Sequence, residues 1–287
     1  MSPRVTVIIA TYNWSSVLPY SIRSALRQTM TDFELLVIGD GCTDDSEQVV
    51  TAIGDPRVRW INLPTNTRHQ SGPNNEGLRQ ARGEVIAYLG HDDLWLPHHL
   101  DVMIRALDSH GGDLAHSLST NVGPDESSGW LTIPRPQAGS FAAPLCIVHR
   151  RRMIEEIGGW RHYRELDVAP DVELWRRAQA AGYQFTFVPR LTGIKFPGSW
   201  RRGVYQTRPC HEQAAWLARI ESEPDLEVRQ LVDFIVGRRV PCGLPYREVL
   251  RNLAGETVSR LRKRWSQRSW SSGRTIDDLR RFKGLGE

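Results

Sequence analysis

Residues 85–89 form a short apolar run that ends at Gly90 and leads into His91-Asp92-Asp93, after which Leu94, Trp95 and Leu96 follow at once. Adjacent carboxylates repel each other and are costly to bury. Such a pair at the end of an apolar strand calls for a counter-charge. Oxygen ligands there suit Mg2+ or Mn2+, which proteins usually hold with one or two carboxylates plus substrate phosphates. A solvated pair, or Asp93 capping the helix near Pro97, would account for the same residues. Asp40 sits in Gly39-Asp40-Gly41, where glycines permit positive φ and close approach of a ligand. Its carboxylate could accept a hydrogen bond from a base or a sugar hydroxyl, although the triplet also makes a plain turn. Tyr12, after Thr11, could stack on a flat base or simply pack. Asp171 opens the helical stretch VELWRR. It is either an N-cap or a fixed carboxylate able to take a proton, and a helix N-terminus is expected to lower its pKa.

These residues need elements to position them. Strands are expected at residues 5–10, 34–38, 58–63, 85–89 and 114–118. Helices are expected at 16–28, from Asp44 or Asp45 to 53, at 74–82 and at 97–110. Strand and helix therefore alternate up to about residue 118, which implies βαβ units and an α/β, mainly parallel sheet. In such sheets ligands bind beyond the carboxyl ends of the strands. The three polar clusters, Thr11-Tyr12-Asn13, Gly39-Asp40-Gly41 and His91-Asp92-Asp93, all fall at those ends. Residues 123–144 read as a long loop. A helix is expected at 151–157, another at 172–181, a strand at 185–188 and a turn at Pro189. Beyond about 210 the chain reads as mostly helical.

The 287 residues carry a formal charge of +4, with 40% hydrophobic and 24% charged residues, as in a soluble globular protein. No apolar run approaches the roughly 18 residues of a membrane span, and the N-terminus does not read as a signal peptide. The four cysteines are scattered without a CxxC pair, so reduced thiols and a cytoplasmic location are expected. Residues 257–270 can form a basic amphipathic helix, either packed on the domain or lying peripherally on an anionic membrane surface. Nucleic-acid binding is not expected, because no interleaved aromatic platform appears. The absence of GxxxxGK[ST] and G-x-G-x-x-G counts against P-loop NTPases and dinucleotide oxidoreductases.

The stretches VTVIIATYNWSSVLPYSIRSALRQTMTDFELLVIGDGCTDDS, NNEGLRQARGEVIAYLGHDDLWLP, EEIGGW and PDVELWRRAQAAGYQFTFVP, spanning about residues 4 to 190, resemble family 2 glycosyltransferases of the GT-A fold. The resemblance implies a GT-A domain at 1–200, with a Rossmann-like nucleotide-binding half at 1–118 and an acceptor half at 119–200, plus C-terminal helices at 201–287. It implies an inverting, metal-assisted transfer from a nucleoside-diphosphate sugar to a hydroxyl acceptor. UDP is the favoured nucleotide, with GDP and dTDP as alternatives. Thr11, Tyr12 and Asp40 are then expected to hold the base, Asp92 to approach the ribose, Asp93 to meet Mn2+ or Mg2+, and Asp171 to act as base. Lys195, Trp200 and Arg201 are placed at the acceptor. Three departures from the family pattern stand out: one acid is missing at Gly39, another at Gly90, and Pro170 replaces a glutamate. A catalytically silent nucleotide-sugar binder and a sugar nucleotidyltransferase are the rival readings.

Overall fold

The computed structural model describes residues 2–124, 130–134, 136, 139, 141–239 and 276–284. Strands β1 (Val5–Thr11), β2 (Phe33–Gly39), β3 (Val58–Asn62) and β4 (Val85–Tyr88) lie side by side in the order β3-β2-β1-β4, all parallel. Helices α1 (Leu18–Leu26), α2 (Ser46–Thr51) and α3 (Ser71–Gln80) connect them. Every residue of β2 is buried, as its near-continuous apolar composition demands for a strand covered on both faces. The expected helix starts shift slightly. Pro19 and Pro73 both sit in the first turn of their helices, where the missing N–H has no intrahelical partner to lose, so α3 begins at Ser71 rather than Asn74.

Past β4 the sheet becomes mixed. β5 (Leu94–Trp95) follows the acidic pair, and α4 (His99–His110) leads to β6 (Leu114–Asn121) and the short β7 (Trp130–Thr132), which lies within the stretch expected to be loop. β8 (Ile147–Arg150) inserts antiparallel between β4 and β6. Then come α5 (Arg151–Ile157), α6 (Pro170–Ala180) and β9 (Phe185–Lys195), the last parallel to β6 and antiparallel to β5.

β9 corrects the sequence expectation of a turn at Pro189. The strand runs straight through it for 11 residues. Its pairing with β6 shifts register between His116 and Leu118, opposite Phe187 and Leu191, so the proline occupies a bulge, where no ladder N–H is required. This extension carries the chain to Lys195. The pairing Leu94↔Ile194 then sets Asp93 against Lys195.

The remaining described helices are α7 (Val204–Thr207), α8 (His211–Ser222), α9 (Leu226–Arg239) and α10 (Ile276–Lys283). Leu94, Leu96, Leu191, Ile194 and Phe196 form one apolar cluster with Trp216, Leu217 and Ile220 of α8, so α8 is packed onto the main body. The expected amphipathic helix at 257–270 lies outside the described residues. No described helix is long and apolar enough to cross a membrane.

Among the described residues, His99, His116 and His149 are buried in or against the sheet. Burial depresses His99 to about 3 and His116 and His149 to about 4. His149 donates from Nδ1 to the Arg150 carbonyl, which leaves Nε2 to accept from the Tyr88 hydroxyl at 3.2 Å. The unfolded chain takes up a proton at each site near pH 6.5 that the folded chain refuses. Their stabilising contribution is therefore complete above pH 6.5 and is lost as pH falls towards 4, at up to about 1.4 kcal/mol per pH unit for each group. Urea unfolding at pH 7.5 and pH 5.5 is expected to show a clearly lower midpoint at pH 5.5; equal midpoints would contradict the neutral, buried assignment.

Candidate functional site

The site grows from the carboxyl edge of β1, β2 and β4. The Asp40 amide donates to the Thr11 carbonyl at 2.8 Å, and Thr11 Oγ1 meets His91 Nδ1 at 3.1 Å, so all three strand ends are joined. The Thr11 side chain is thus turned inward, and Tyr12 beside it is half-buried. Asn13 takes a left-handed conformation, φ +46°. Its side-chain oxygen accepts from the Thr43 amide at 2.7 Å and its amide donates to Thr43 Oγ1. That clamp shapes the β2–α2 loop, a role the sequence reading did not assign to Asn13.

Asp40 is buried. Its Oδ1 accepts from the Thr67 amide at 2.9 Å and the Thr67 hydroxyl at 2.7 Å. Burial pushes its pKa up, opposed by Thr67, the Arg68 amide and the Arg280 guanidinium. Gly41 beside it has φ +70°, and a Cβ there would come within 2.5 Å of the Asn66 amide nitrogen. Glycine is what lets the 65–67 loop close onto Asp40.

Asp93 is 3% exposed. Its Oδ1 accepts from the Phe196 amide at 3.0 Å, and its Oδ2 lies 3.2 Å from Lys195 Nζ. Burial raises its pKa, with Lys195 pulling it down and Asp92 pushing it up. Burial also pulls down on Lys195, but Asp93, Asp92 and Asp171 outweigh it and hold the ammonium above its ordinary value. Lys195, expected at the acceptor, is thus the counter-charge the acidic pair demanded. The Asp92 carbonyl accepts from Gln213 Nε2 of α8 at 3.1 Å. Trp14, His91 and Tyr205 pack edge to face or tilted beside this turn.

Two carboxylate oxygens converge on Gly90. A Cβ at that position would lie 2.5 Å from Asp93 Oδ2 and 3.3 Å from Asp92 Oδ1. The donor set of two acids on one turn fits a hard cation of the Mg2+ or Mn2+ type, which takes one or two protein carboxylates and completes its shell with phosphate and water. Among the described residues no group of three His, Cys, Asp or Glu could hold a metal without such help.

Asp171 stands in the first turn of α6, after Pro170 at the helix start, with Ala169 as N-cap. It does not cap the helix; its Oδ1 accepts from the adjacent Val172 amide at 3.0 Å. Burial raises its pKa, opposed by that amide and by Lys195 and Lys283. The expectation of a lowered value is therefore overturned, because loss of water outweighs the helix end. Arg177 fixes the start of α6. It donates to the carbonyls of Ile157, Gly158 and Gly159 and to Glu173, while Asn75 brackets Trp160 through two 2.8 Å bonds. Glu173 is tied up in this framework, paired with Arg161 and Arg177.

Lys195 contacts Asp93 directly at 3.2 Å and interacts electrostatically with Asp92 and Asp171, as Lys283 of α10 does with Asp92 and Asp171. Arg201 does not join them. It is 8% exposed, forms a two-pronged ion pair with Glu212 at 2.6 and 2.8 Å, and donates to the Pro197 and Val122 carbonyls. All its reach is directed into the fold, which corrects its expected place at the acceptor. Trp200 is 38% exposed on the turn that α10 packs against.

Comparison with known proteins adds the following. The model of the family described as "Glycosyl transferase family 2" matches residues 6–158. The Escherichia coli protein named UDP-Glc:alpha-D-GlcNAc-diphosphoundecaprenol beta-1,3-glucosyltransferase WfgD is 34% identical over 149 residues, covering 51% of this chain and 54% of that protein. The chain spans 53%, 32% and 54% of the length of three curated relatives it matches. The mannosyltransferase PcManGT from Pyrobaculum calidifontis, in complex with GDP-Man and Mn2+, superposes with a TM-score of 0.61 at 16% identity, covering 97% of this chain and 88% of that one. S. aureus TarS 1-349 in complex with UDP-GlcNAc gives 0.59 at 20% identity, covering 81% and 71%. The fold is that of the GT-A glycosyltransferases.

The crowding at Gly90 yields a test. Gly90→Asp would restore the longer acidic motif on paper, yet its Cβ must displace Asp93 from Lys195 and the Phe196 amide. Thermal unfolding is expected to show a lower Tm than wild type with and without Mn2+. A variant that matches wild type in chelator and gains more from Mn2+ would show that the turn can open.

Proposed function

The chain belongs to glycosyl transferase family 2, and from this we propose that it moves a sugar from a nucleoside-diphosphate sugar to a hydroxyl acceptor, with inversion at the anomeric carbon. The observation that supports this reading is that Asp171 and the Asp92–Asp93 pair, far apart in sequence, interact electrostatically with the same ammonium, Lys195, which touches Asp93 at 3.2 Å. One carboxylate would thereby be available to an acceptor near a donor's diphosphate.

Asp40 would receive the base, with Thr11 and Tyr12 beside it and Asp92 towards the ribose. Asp93 would hold Mn2+ or Mg2+. When bound, such a cation neutralises charge that develops on the departing diphosphate. Asp171 takes the proton of the acceptor hydroxyl as its oxygen bonds to the anomeric carbon. The bond from that carbon to the diphosphate oxygen breaks, and the electron pair leaves with the diphosphate. A carboxylate is a weak base towards an alcohol at its ordinary pKa. Burial narrows that gap for Asp171 by raising its proton affinity, and prepositioning narrows it further.

A UDP-sugar is the favoured donor, supported by the names of WfgD and the TarS complex; the GDP-Man complex of PcManGT makes a GDP-sugar the alternative. The printed name of WfgD supports a lipid-linked acceptor. Trp200, exposed beside the site, and the residues after β6 are proposed to line its approach.

The reading is tested by assaying the purified chain against a panel of UDP- and GDP-sugars with Mn2+, following release of free nucleoside diphosphate. Asp171→Asn is expected to lower transfer by at least about 10²-fold while nucleotide affinity stays near wild type. Transfer at the wild-type rate in that variant would remove Asp171 from the reaction. Because Asp171 works ionised and burial raises its pKa, kcat/KM should fall on the acid side starting above the ordinary aspartate range. An acid limb at or below that range would contradict a buried base. Asp93→Ala should abolish the dependence of nucleotide binding on Mn2+, and an unchanged metal titration would remove Asp93 as ligand.

A further inference from the structure

The acidic turn is closed by a bond of its own. The Asp93 amide donates to the Gly90 carbonyl at 3.1 Å, which leaves His91 and Asp92 at the two central positions. The peptide unit that joins Asp92 to Asp93 therefore carries both acids, and its rotation sets the direction from which each carboxylate starts. Two adjacent carboxylates repel, so a turn left to itself relaxes towards keeping them apart. Here they converge on Gly90. Lys195 Nζ meets Asp93 Oδ2 at 3.2 Å, and His91 Nε2 stands 4.0 Å from Asp92 Oδ1. Both contacts act on the ends of the side chains, and neither fixes the peptide between them.

The carbonyl of that peptide accepts from Gln213 Nε2 at 3.1 Å, across 121 positions of sequence. Gln213 is 4% exposed, and its helix, α8, is held on both sides of the turn. Trp216, Leu217 and Ile220 pack with Leu94 and Leu96, directly after the acids. Glu212, next to Gln213, pairs with Arg201, which donates to the Val122 carbonyl at 3.1 Å; the Val122 amide donates to the Lys195 carbonyl at 2.8 Å. A closed circuit of contacts thus runs from Asp92 through α8 and the end of β6 back to the residue that meets Asp93. The other half of the Gln213 amide points to a purpose for it. Oε1 is buried and meets no donor among the described residues. An unpaired buried oxygen costs stability, and an apolar side chain of similar length would avoid that cost. Only Nε2 can face a carbonyl, so the bond to Asp92 fixes the orientation that leaves Oε1 without a donor.

We propose that Gln213 is a positioning residue for the acidic turn: by holding the peptide between Asp92 and Asp93, it keeps both carboxylates directed at one divalent cation. This deepens the reading of Asp93 as metal ligand and rests on it. Gln213 lies beyond residues 6–158, the part of the chain that the family model matches, and it binds neither cation nor nucleotide itself. With its amide in place, the fold brings the acids together before a cation arrives. Without it, part of the cation's own binding energy is spent on turning them.

The test is calorimetric titration of the full chain with UDP and with GDP, in chelator and at a series of Mn2+ concentrations. Gln213→Met keeps the length of the side chain and removes both the donor and the unpaired oxygen. It is expected to raise the Mn2+ concentration that half-enhances diphosphate affinity by about three- to tenfold, while affinity in chelator stays near wild type. Gln213→Asn, whose amide is drawn back by one carbon, should shift the Mn2+ midpoint in the same direction. In an Asp93→Ala background, Gln213→Met should cause no further loss of affinity, because the turn then has no metal to aim at; a merely structural role would lower affinity there too. An unchanged midpoint in both single variants, an equal loss with and without Mn2+, or a further loss in the Asp93→Ala background would overturn the proposal. Wild-type diphosphate binding that is indifferent to Mn2+ would remove the metal reading, and this inference with it. Wild-type protein that binds neither diphosphate would overturn the transferase reading itself.

Discussion

A carboxylate removed from water must find positive charge or give up its own. Asp93 is the point where this constraint acts on the molecule. It is almost fully buried, and it is satisfied by one backbone amide and one ammonium, both supplied by the end of β9. For that end to arrive, β9 must run to Lys195, must bulge past Pro189, and must pair with β5 in the register that opposes Asp93 to Lys195. The turn that follows is then anchored in its own right. Arg201 locks onto Glu212 and reaches back to the end of β6, and α8 places Gln213 against the Asp92 carbonyl. The acidic turn is thus enclosed by elements more than a hundred residues downstream.

The half that holds β1 to β4 was legible in the sequence because its signals are local. Apolar, β-branched runs marked β1, β2 and β4, and the polar clusters after them fell on one edge by the parallel topology alone. Helix limits moved by a few residues, and at α3 a proline in the first turn, Pro73, concealed the true start. The second half was less legible because its logic is long-range. Pro189 looks like a terminator when read alone, and only the bulge opposite β6 makes it compatible with a strand. With β9 cut short there, Lys195 had no element to carry it to Asp93, and it was placed at the acceptor with Arg201. Arg201 itself is indistinguishable from a ligand-binding arginine until Glu212 is seen against it.

Asp171 shows the same division within one residue. Its local setting, the first turn of a helix, argues for a lowered pKa. The helix macrodipole is an effect of a few tenths to one kcal/mol at an exposed end, whereas removal from water acts on the whole charge. Once the fold removes Asp171 from water, desolvation decides the direction. Position in a helix is visible in a sequence; what packs over that position is not.

Charge balance around the acidic turn connects these features. Asp40, Asp92, Asp93 and Asp171 are met by Lys195, Lys283 and Arg280, which leaves the cluster close to neutral as it stands. A diphosphate entering such a site brings about two to three further negative charges, more than the basic side chains already engaged with carboxylates can offset. A divalent cation would supply the positive charge that those side chains lack. An ammonium that turns from a carboxylate towards phosphate leaves the carboxylate in need of a new counter-charge, and at Asp93 a divalent cation would supply it.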